Sequence, residues 1–326
     1  MVRTYAALQR VVKGAALGLI LGATPGLGQG LPAFAPLNPV ATSRSGLYFQ
    51  PYREPAPRRW VSSVQLDYGS IIEYNQLSPA LYVLDTEILR LTFGASRDLG
   101  RRTFISLSGS AQGAYSGFMD GFLDWYHGAL GIRVSEREQR PQDRFLYSVT
   151  LPDGRTVARS STNLFLGDMR VGLGVRLNQS LQTMLSLTLP TSTGPEGYGR
   201  GVASLSALTT LRTPLEPRWM FEGSLGIGVT PTQGELSRYQ RTTFLALSSG
   251  VRYRIWGSQA LYGNVFFHSP YYQGTSLPAL DRRELSLDFG WVLESRAGGE
   301  WRVGLTEDLE PGGPGVDLVL RVGRSF

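Results

Sequence analysis

The chain contains no cysteine. That excludes disulfides, an N-terminal lipid anchor and thiolate metal sites. Past the first 23 residues it has no apolar run long enough to cross a bilayer as a helix. Lysine is nearly absent: after Lys13 every basic residue is arginine. No block of five like charges occurs, and no basic helix or basic–aromatic ribonucleoprotein motif is present, so nucleic acid is a poor partner. Histidine is limited to His127 and His268.

What is present begins with an export signal. Arg3, Arg10 and Lys13 precede an apolar stretch from Gly14 to Ala23, and Gly26-Leu27-Gly28 offers small residues for cleavage before Gln29. Residues 1–28 read as a secretory signal, too short to span a bilayer. Its removal takes away three basic residues and no acid, lowering the formal charge from +6 to +3. Residues 29–59 carry six prolines, from Pro32 to Pro57. Proline withholds backbone donors from a ladder, so this stretch is expected to be an arm or a lumen segment rather than wall.

From Trp60 the chain alternates with a period of two. Leu89, Leu91 and Phe93 oppose Arg90 and Thr92, and Leu285, Leu287 and Phe289 oppose Ser286 and Asp288. Twelve such segments are expected, the last ending at Phe326. Turns near 96–102, 178–180, 212–218, 256–259 and 294–300 are short, and the alternate connections include long ones at 115–163, 231–241 and 270–282. Short turns at one end and long loops at the other are the rule for membrane barrels. The expected fold is all-β: one 12-stranded antiparallel transmembrane β-barrel over 60–326, with a short helix in a long extracellular loop. A soluble sandwich would alternate too, but would turn its apolar face into a core.

A terminal aromatic on the last strand resembles the signal read by the Gram-negative barrel assembly machinery, which makes that machinery and outer-membrane lipid the expected partners. Arg324 departs from the pattern, because an apolar residue is usual on that face.

The loop after the third strand holds the most unusual stretch. Phe118, Phe122, Trp125 and Tyr126 fall at helical spacing, with Asp120, Asp124 and His127 on another face. Four large side chains need burial, and the barrel mouth is the expected place, with His268, Tyr271 and Tyr272 at the same rim. Asp120, Asp124 and His127 have the spacing of a divalent-ion set. Solvated acids and a helix-capping histidine are the plainer reading, because no second histidine is nearby. His268 and Ser269 offer a base and a nucleophile for a surface lipid hydrolase. Adjacent strand residues point to opposite faces, which denies the direct reach that chemistry needs. No catalytic residue and no cofactor are therefore assigned. Residues 145–161, with Pro152-Asp153-Gly154 at the turn, read as a hairpin.

Arg90, Arg170, Arg176, Arg252, Arg254, Arg302 and Arg321 are expected to face the lumen, with Asp67, Asp168, Glu222, Asp288 and Asp317. Mixed signs in similar numbers favour pairing across a partly plugged interior over an open pore.

Pro36-Leu37-Asn38-Pro39, Asp120-Gly121-Phe122 through Trp125-Tyr126-His127, Arg140-Pro141 and Asp143 carry a resemblance. So do Gly167-Asp168, Arg170, Leu189-Pro190-Thr191, His268-Ser269-Pro270-Tyr271 and Glu307-Asp308-Leu309. On these the chain resembles a Proteobacterial family of outer-membrane proteins of unknown function. More loosely it is similar to fatty-acid and aromatic-hydrocarbon transporter barrels, including those linked to phenol degradation. The resemblance implies a barrel in the outer membrane, and no catalytic residues. The expected function is passage or binding of a small hydrophobic or aromatic molecule, through movement of the mouth helix or of the proline-rich arm. A structural or assembly role without a transported ligand is the alternative.

Overall fold

A computed structural model describes residues 31, 33–44, 47–56, 59–131, 141–295, 299–310 and 313–326. Residues 1–28, on which the expected secretory signal falls, and Pro32, Pro57 and Arg140 lie outside the described residues.

The strands are β1 (Trp60–Leu77), β2 (Ala80–Asp98), β3 (Thr103–Tyr115), β4 (Leu146–Thr150) and β5 (Thr156–Arg159). Then come β6 (Phe165–Leu166), β7 (Met169–Arg176), β8 (Leu181–Leu189), β9 (Ser204–Glu216) and β10 (Trp219–Val229). The rest are β11 (Thr243–Trp256), β12 (Gln259–His268), β13 (Glu284–Glu294), β14 (Glu300–Asp308) and β15 (Leu318–Ser325). Three α-helices are described, α1 (Pro39–Arg44), α2 (Asp120–Leu130) and α3 (Pro278–Asp281), with a 3-10 turn at Ser237–Tyr239.

Each barrel strand pairs antiparallel with its neighbour, and β1 pairs with β15 from Ser63↔Ser325 to Ser70↔Leu318. The sheet therefore closes as a 12-stranded barrel: β4 and β5 are extra strands in the long loop, and β6 continues β7 along β3 beyond a short irregularity at Gly167-Asp168. Closure leaves no edge to satisfy in lipid. One outward face runs around the wall. Phe93, Leu173, Leu185, Leu225, Leu245, Leu261, Val303 and Val322 share it, each about half exposed. In water such a belt would be a large apolar patch; against acyl chains it is the ordinary surface.

Trp60, Trp219, Trp301 and Phe326 gather at the short-turn end, the periplasmic one in barrels of this kind. There Arg324 finds its reason. Its guanidinium lies over the Trp301 ring at 4.8 Å and the Phe326 ring at 4.7 Å. Two aromatic faces at the membrane boundary accommodate a cation where an apolar residue is usual.

Helix α2 does not sit in the mouth. Met119 and Leu123 are buried against Leu318, with Tyr68, Tyr126 and Leu305 packed around them. By register Tyr68, Leu305 and Leu318 belong to the outward face, level with Leu320. The helix therefore lies on the outer wall, over β1, β14 and β15. Tyr126 donates to Glu307 at 3.1 Å. Glu87, an outward carboxylate on β2, accepts the Phe118 N–H at 2.9 Å, the Met119 N–H and the Tyr68 hydroxyl. An acid on a lipid-facing strand is costly unless covered, and the helix start supplies both cover and donors. Phe118, Phe122 and Trp125 form an exposed flank, and Phe118 stacks on Tyr68 at 5.4 Å. Asp120 and Asp124 form the opposite flank, where they accept from Asp143 and Gln142, each at 2.6 Å.

A strand tilted about 40° climbs roughly 2.5 Å per residue, so an apolar band about 25 Å tall takes about ten residues. Counted from Trp60, that band ends near Ser70, the level of α2. The aromatic flank then meets the outer edge of the bilayer. Because the chain has no cysteine, single spin labels test this cleanly. A label at Phe122→Cys should relax with oxygen more than with a water-soluble nickel chelate, and one at Asp124→Cys should show the reverse. Equal responses would remove the helix from the interface.

Candidate functional site: the occupied lumen

The proline-rich arm fills the barrel. Residues 33–34 and 48–49 make a short bridge, with Phe34 and Phe49 exchanging backbone hydrogen bonds of 2.9 and 2.8 Å. Phe34 packs on Phe266 at 4.7 Å and Phe49 on Phe266 at 5.3 Å. With Leu47, Phe244, Met184 and Leu208 they form one buried cluster that holds the arm against β8–β12. Inward glycines make room. A Cβ on Gly226 would stand 2.3 Å from a Leu47 methyl, and one on Gly69 2.7 Å from a Leu37 methyl.

Polar ties complete the seating. Asn38 donates to Glu73 at 2.7 Å and to the Gly315 carbonyl at 3.0 Å. Arg44, at the end of α1, donates to the carbonyls of Thr230, Pro231 and Arg241, each at 2.9 Å. Burial pushes its pKa down, partly offset by Tyr272. Lower in the lumen, Arg53 bonds Asp98 at 3.1 Å, and Arg176 reaches the same carboxylate at 2.5 Å.

The lumen charges pair across strands. Asp67 takes Arg90 at 2.8 Å and Arg321 at 3.2 Å, and Arg321 also reaches Asp288 at 3.3 Å. Arg90 and Arg321 both donate to the Ala35 carbonyl of the arm, at 2.9 and 3.2 Å. Arg252 joins Glu294 and Glu300, both at 2.9 Å. Asp168 accepts Ser192 N–H at 3.0 Å, Arg200 N–H at 2.9 Å and the Arg200 guanidinium at 3.3 Å. Arg254 stands apart, an exposed side chain at the periplasmic rim 3.6 Å from Glu294. Among the described residues Arg170 has a single polar tie, Nε to Thr188 Oγ1 at 3.2 Å, and its guanidinium lies over the Tyr48 ring at 5.5 Å.

The outer end is sealed. The β4–β5 hairpin extends β2 beyond the wall, and Tyr147, Val149 and Leu151 pack with Tyr198, Tyr239, Tyr272 and Leu280 over Leu37 and Val40. His268 is fully buried beneath this cap, stacked on Tyr271 at 4.1 Å and on Phe244 at 5.2 Å. Tyr271 donates to Glu284 at 2.5 Å. His268, Tyr271 and Tyr272 thus come together, but inside the cap and not with Phe118, Phe122, Trp125 and Tyr126 on the outer wall. His127 is buried on the helix, and no three His, Cys, Asp or Glu side chains gather as a metal set among the described residues. Ser269 accepts the Leu245 N–H at 3.0 Å, and the His268 ring meets the Ser269 carbonyl instead of its hydroxyl.

Of the cavities beside the arm, two larger ones both lie on the β1–β3 side. The lower, about 120 Å³, is lined by Ala33, Tyr48, Pro51, Tyr52, Arg302 and Phe326, among others. The upper, about 70 Å³, is lined by Tyr48, Thr92, Ser108, Ser110, Arg170 and Arg200, among others. Tyr48 belongs to both. Sequence reasoning missed Tyr48, Arg44 and Glu87. An acid on the outward face of the second strand was the available signal for Glu87.

The charge network generates a stability prediction. Asp67→Asn leaves Arg90 and Arg321 short of a shared buried carboxylate, a loss of the order of 3–5 kcal/mol. The temperature at which the folded band converts on unboiled gels should fall clearly, whereas Arg254→Gln at the exposed rim should leave it unchanged.

With this geometry in place, comparison with known proteins is informative. No curated protein matches the chain in sequence. The fold is similar to the COG4313 outer membrane channel from Pseudomonas putida F1, with a TM-score of 0.54 and 12% identity over 83% of this chain and 96% of that one. It is more distantly similar to the NanC porin, with a TM-score of 0.46 and 10% identity over 81% and 98% of the two chains. The toluene transporter TodX from Pseudomonas putida gives a TM-score of 0.39 and 10% identity over 83% and 88%. The first of these likenesses speaks to the fold alone, that of an outer-membrane β-barrel. Residues 64–310 match the model of a protein family of unknown function, and the chain belongs to that family, DUF3187.

Proposed function

We propose that this barrel is an outer-membrane channel for a small hydrophobic or aromatic molecule, closed in the conformation described and opened by displacement of the arm. The observation that carries the reading is the pair of cavities on one side of the arm with Tyr48 between them. An apolar cavity of about 150 Å³ accepts benzene, so the lower space is on the scale of one ring. The likeness to an outer-membrane channel supports the same class. The aromatic helix has no part in the gate, because its exposed flank lies on the outer wall. Acyl chains surround the belt, and the assembly machinery engages the strand that ends at Phe326.

The sealed cap favours one other reading, a structural barrel without cargo. Conductance in planar bilayers separates the two. Wild type should pass little current. Tyr48→Ala joins the cavities and Arg44→Ala releases α1 from three carbonyls, and each should raise conductance severalfold. Phe122→Ala with Trp125→Ala should leave it unchanged. If neither Tyr48→Ala nor Arg44→Ala conducts, the channel reading fails and the structural one stands.

A further inference from the structure

Arg170 differs from the other lumen arginines. Arg90, Arg176, Arg200, Arg252, Arg302 and Arg321 each meet a carboxylate. Arg44 spends its donors on three carbonyls. Arg170 has no carboxylate within ion-pair distance among the described residues, and its Nε alone is bonded. The nearest acid along the chain, Asp168, is already taken by three donors. The two terminal amino groups of Arg170 are left for the upper cavity.

That cavity is lined for an acceptor. By register Thr92 on β2 and Ser108 on β3 point inward, and Ser110 lies on the same face. Their hydroxyls donate to no protein acceptor among the described residues. Arg90, Arg200 and Asp168 also line the space; Asp67 offsets Arg90 and Asp168 offsets Arg200, so the net positive charge facing the cavity is that of Arg170. A guanidinium fork matches a planar carboxylate better than it matches any neutral group. The volume, about 70 Å³, exceeds two waters' share of liquid volume, about 30 Å³ each. Below it, past the Tyr48 ring, lies the larger cavity with Ala33, Pro51 and Tyr52.

From this arrangement we infer that the upper cavity binds the carboxylate of a small organic acid, with Arg170 as the receiving group and Thr92, Ser108 and Ser110 as supporting donors. The body of the acid, one aromatic ring in size, rests at Tyr48 and the lower cavity. This deepens the channel reading and rests on it for the idea of passage, but not for the binding itself.

Calorimetry on the full-length protein in detergent tests it, with benzoate, the neutral benzyl alcohol and inorganic phosphate as probes. Benzoate should bind, benzyl alcohol should bind at least tenfold more weakly, and Arg170→Gln should weaken benzoate at least tenfold while Arg170→Lys keeps part of the affinity. Crystals soaked with 4-bromobenzoate should show the bromine beside Tyr48. Heat-modified mobility on gels checks that the variants fold. If Arg170→Gln does not fold, Ser108→Val with Ser110→Val takes its place, with a severalfold loss expected.

Equal affinity for benzoate and benzyl alcohol, or affinity indifferent to these substitutions, would overturn the proposal. Arg170-dependent binding of phosphate without benzoate would overturn the carboxylate assignment. Benzoate binding with no flux in proteoliposomes would keep the site and sink the channel. Flux of neutral solute with no benzoate binding would do the opposite.

Discussion

Asp67 is the carboxylate on which the interior turns. It sits on β1 and holds Arg90 from β2 and Arg321 from β15. β1 and β15 are the two ends of the sheet, so this ion pair spans the seam at which the barrel closes. Arg321 continues to Asp288 on β13, and both arginines donate to the Ala35 carbonyl of the arm. Closure of the wall and seating of the arm are thereby coupled through one buried acid. Breaking such a contact from one side leaves a charge without its partner, which costs far more than the intact pair contributes. The same geometry explains why a lumen so rich in arginine tolerates its burial.

Much of the wall was legible in the sequence. A strand buries one face and shows the other, and in a membrane barrel lipid replaces the core, so the alternation is regular and the strand ends fall within a few residues of those expected. The hairpin β4–β5 was legible from Pro152-Asp153-Gly154. The helix was legible, but its placement was not. In water four large aromatics demand burial; beside a bilayer they can face outward. The buried stripe is Met119, Leu123 and Tyr126, at the same helical spacing as the aromatic flank. Periodicity could not choose between the two stripes. Glu87 on an outward strand position was the clue that something covers the wall there.

The arm shows the other limit. Its prolines exclude it from the wall but carry no information about which side of the wall it occupies. That choice depends on contacts distant in sequence, such as Leu47 against Gly226 and Leu37 against Gly69. A glycine in a strand reads as a local weakness until its partner is known. Pairing of mixed charges was foreseeable from their numbers, whereas the isolation of Arg170 required the register of β7 and the saturation of Asp168 to be known.

The arm is also seated unevenly, and this bears on how the barrel can open. On the β8–β12 side it is packed by Phe34, Leu47 and Phe49 against Phe244 and Phe266. On the β1–β3 side Leu37 packs against Gly69, but Arg90 and Ser106 also hold the arm by hydrogen bonds, and both cavities lie there. Apolar packing needs close fit over a large area, whereas hydrogen bonds can be exchanged for water or for a polar ligand one at a time. A displacement that keeps the aromatic cluster and releases the polar side widens the space beside Tyr48 without unseating the whole arm. A carboxylate arriving at Arg170 brings acceptors to the side where bonds must be exchanged, so the occupant of the upper cavity and the movement that admits it draw on the same donors.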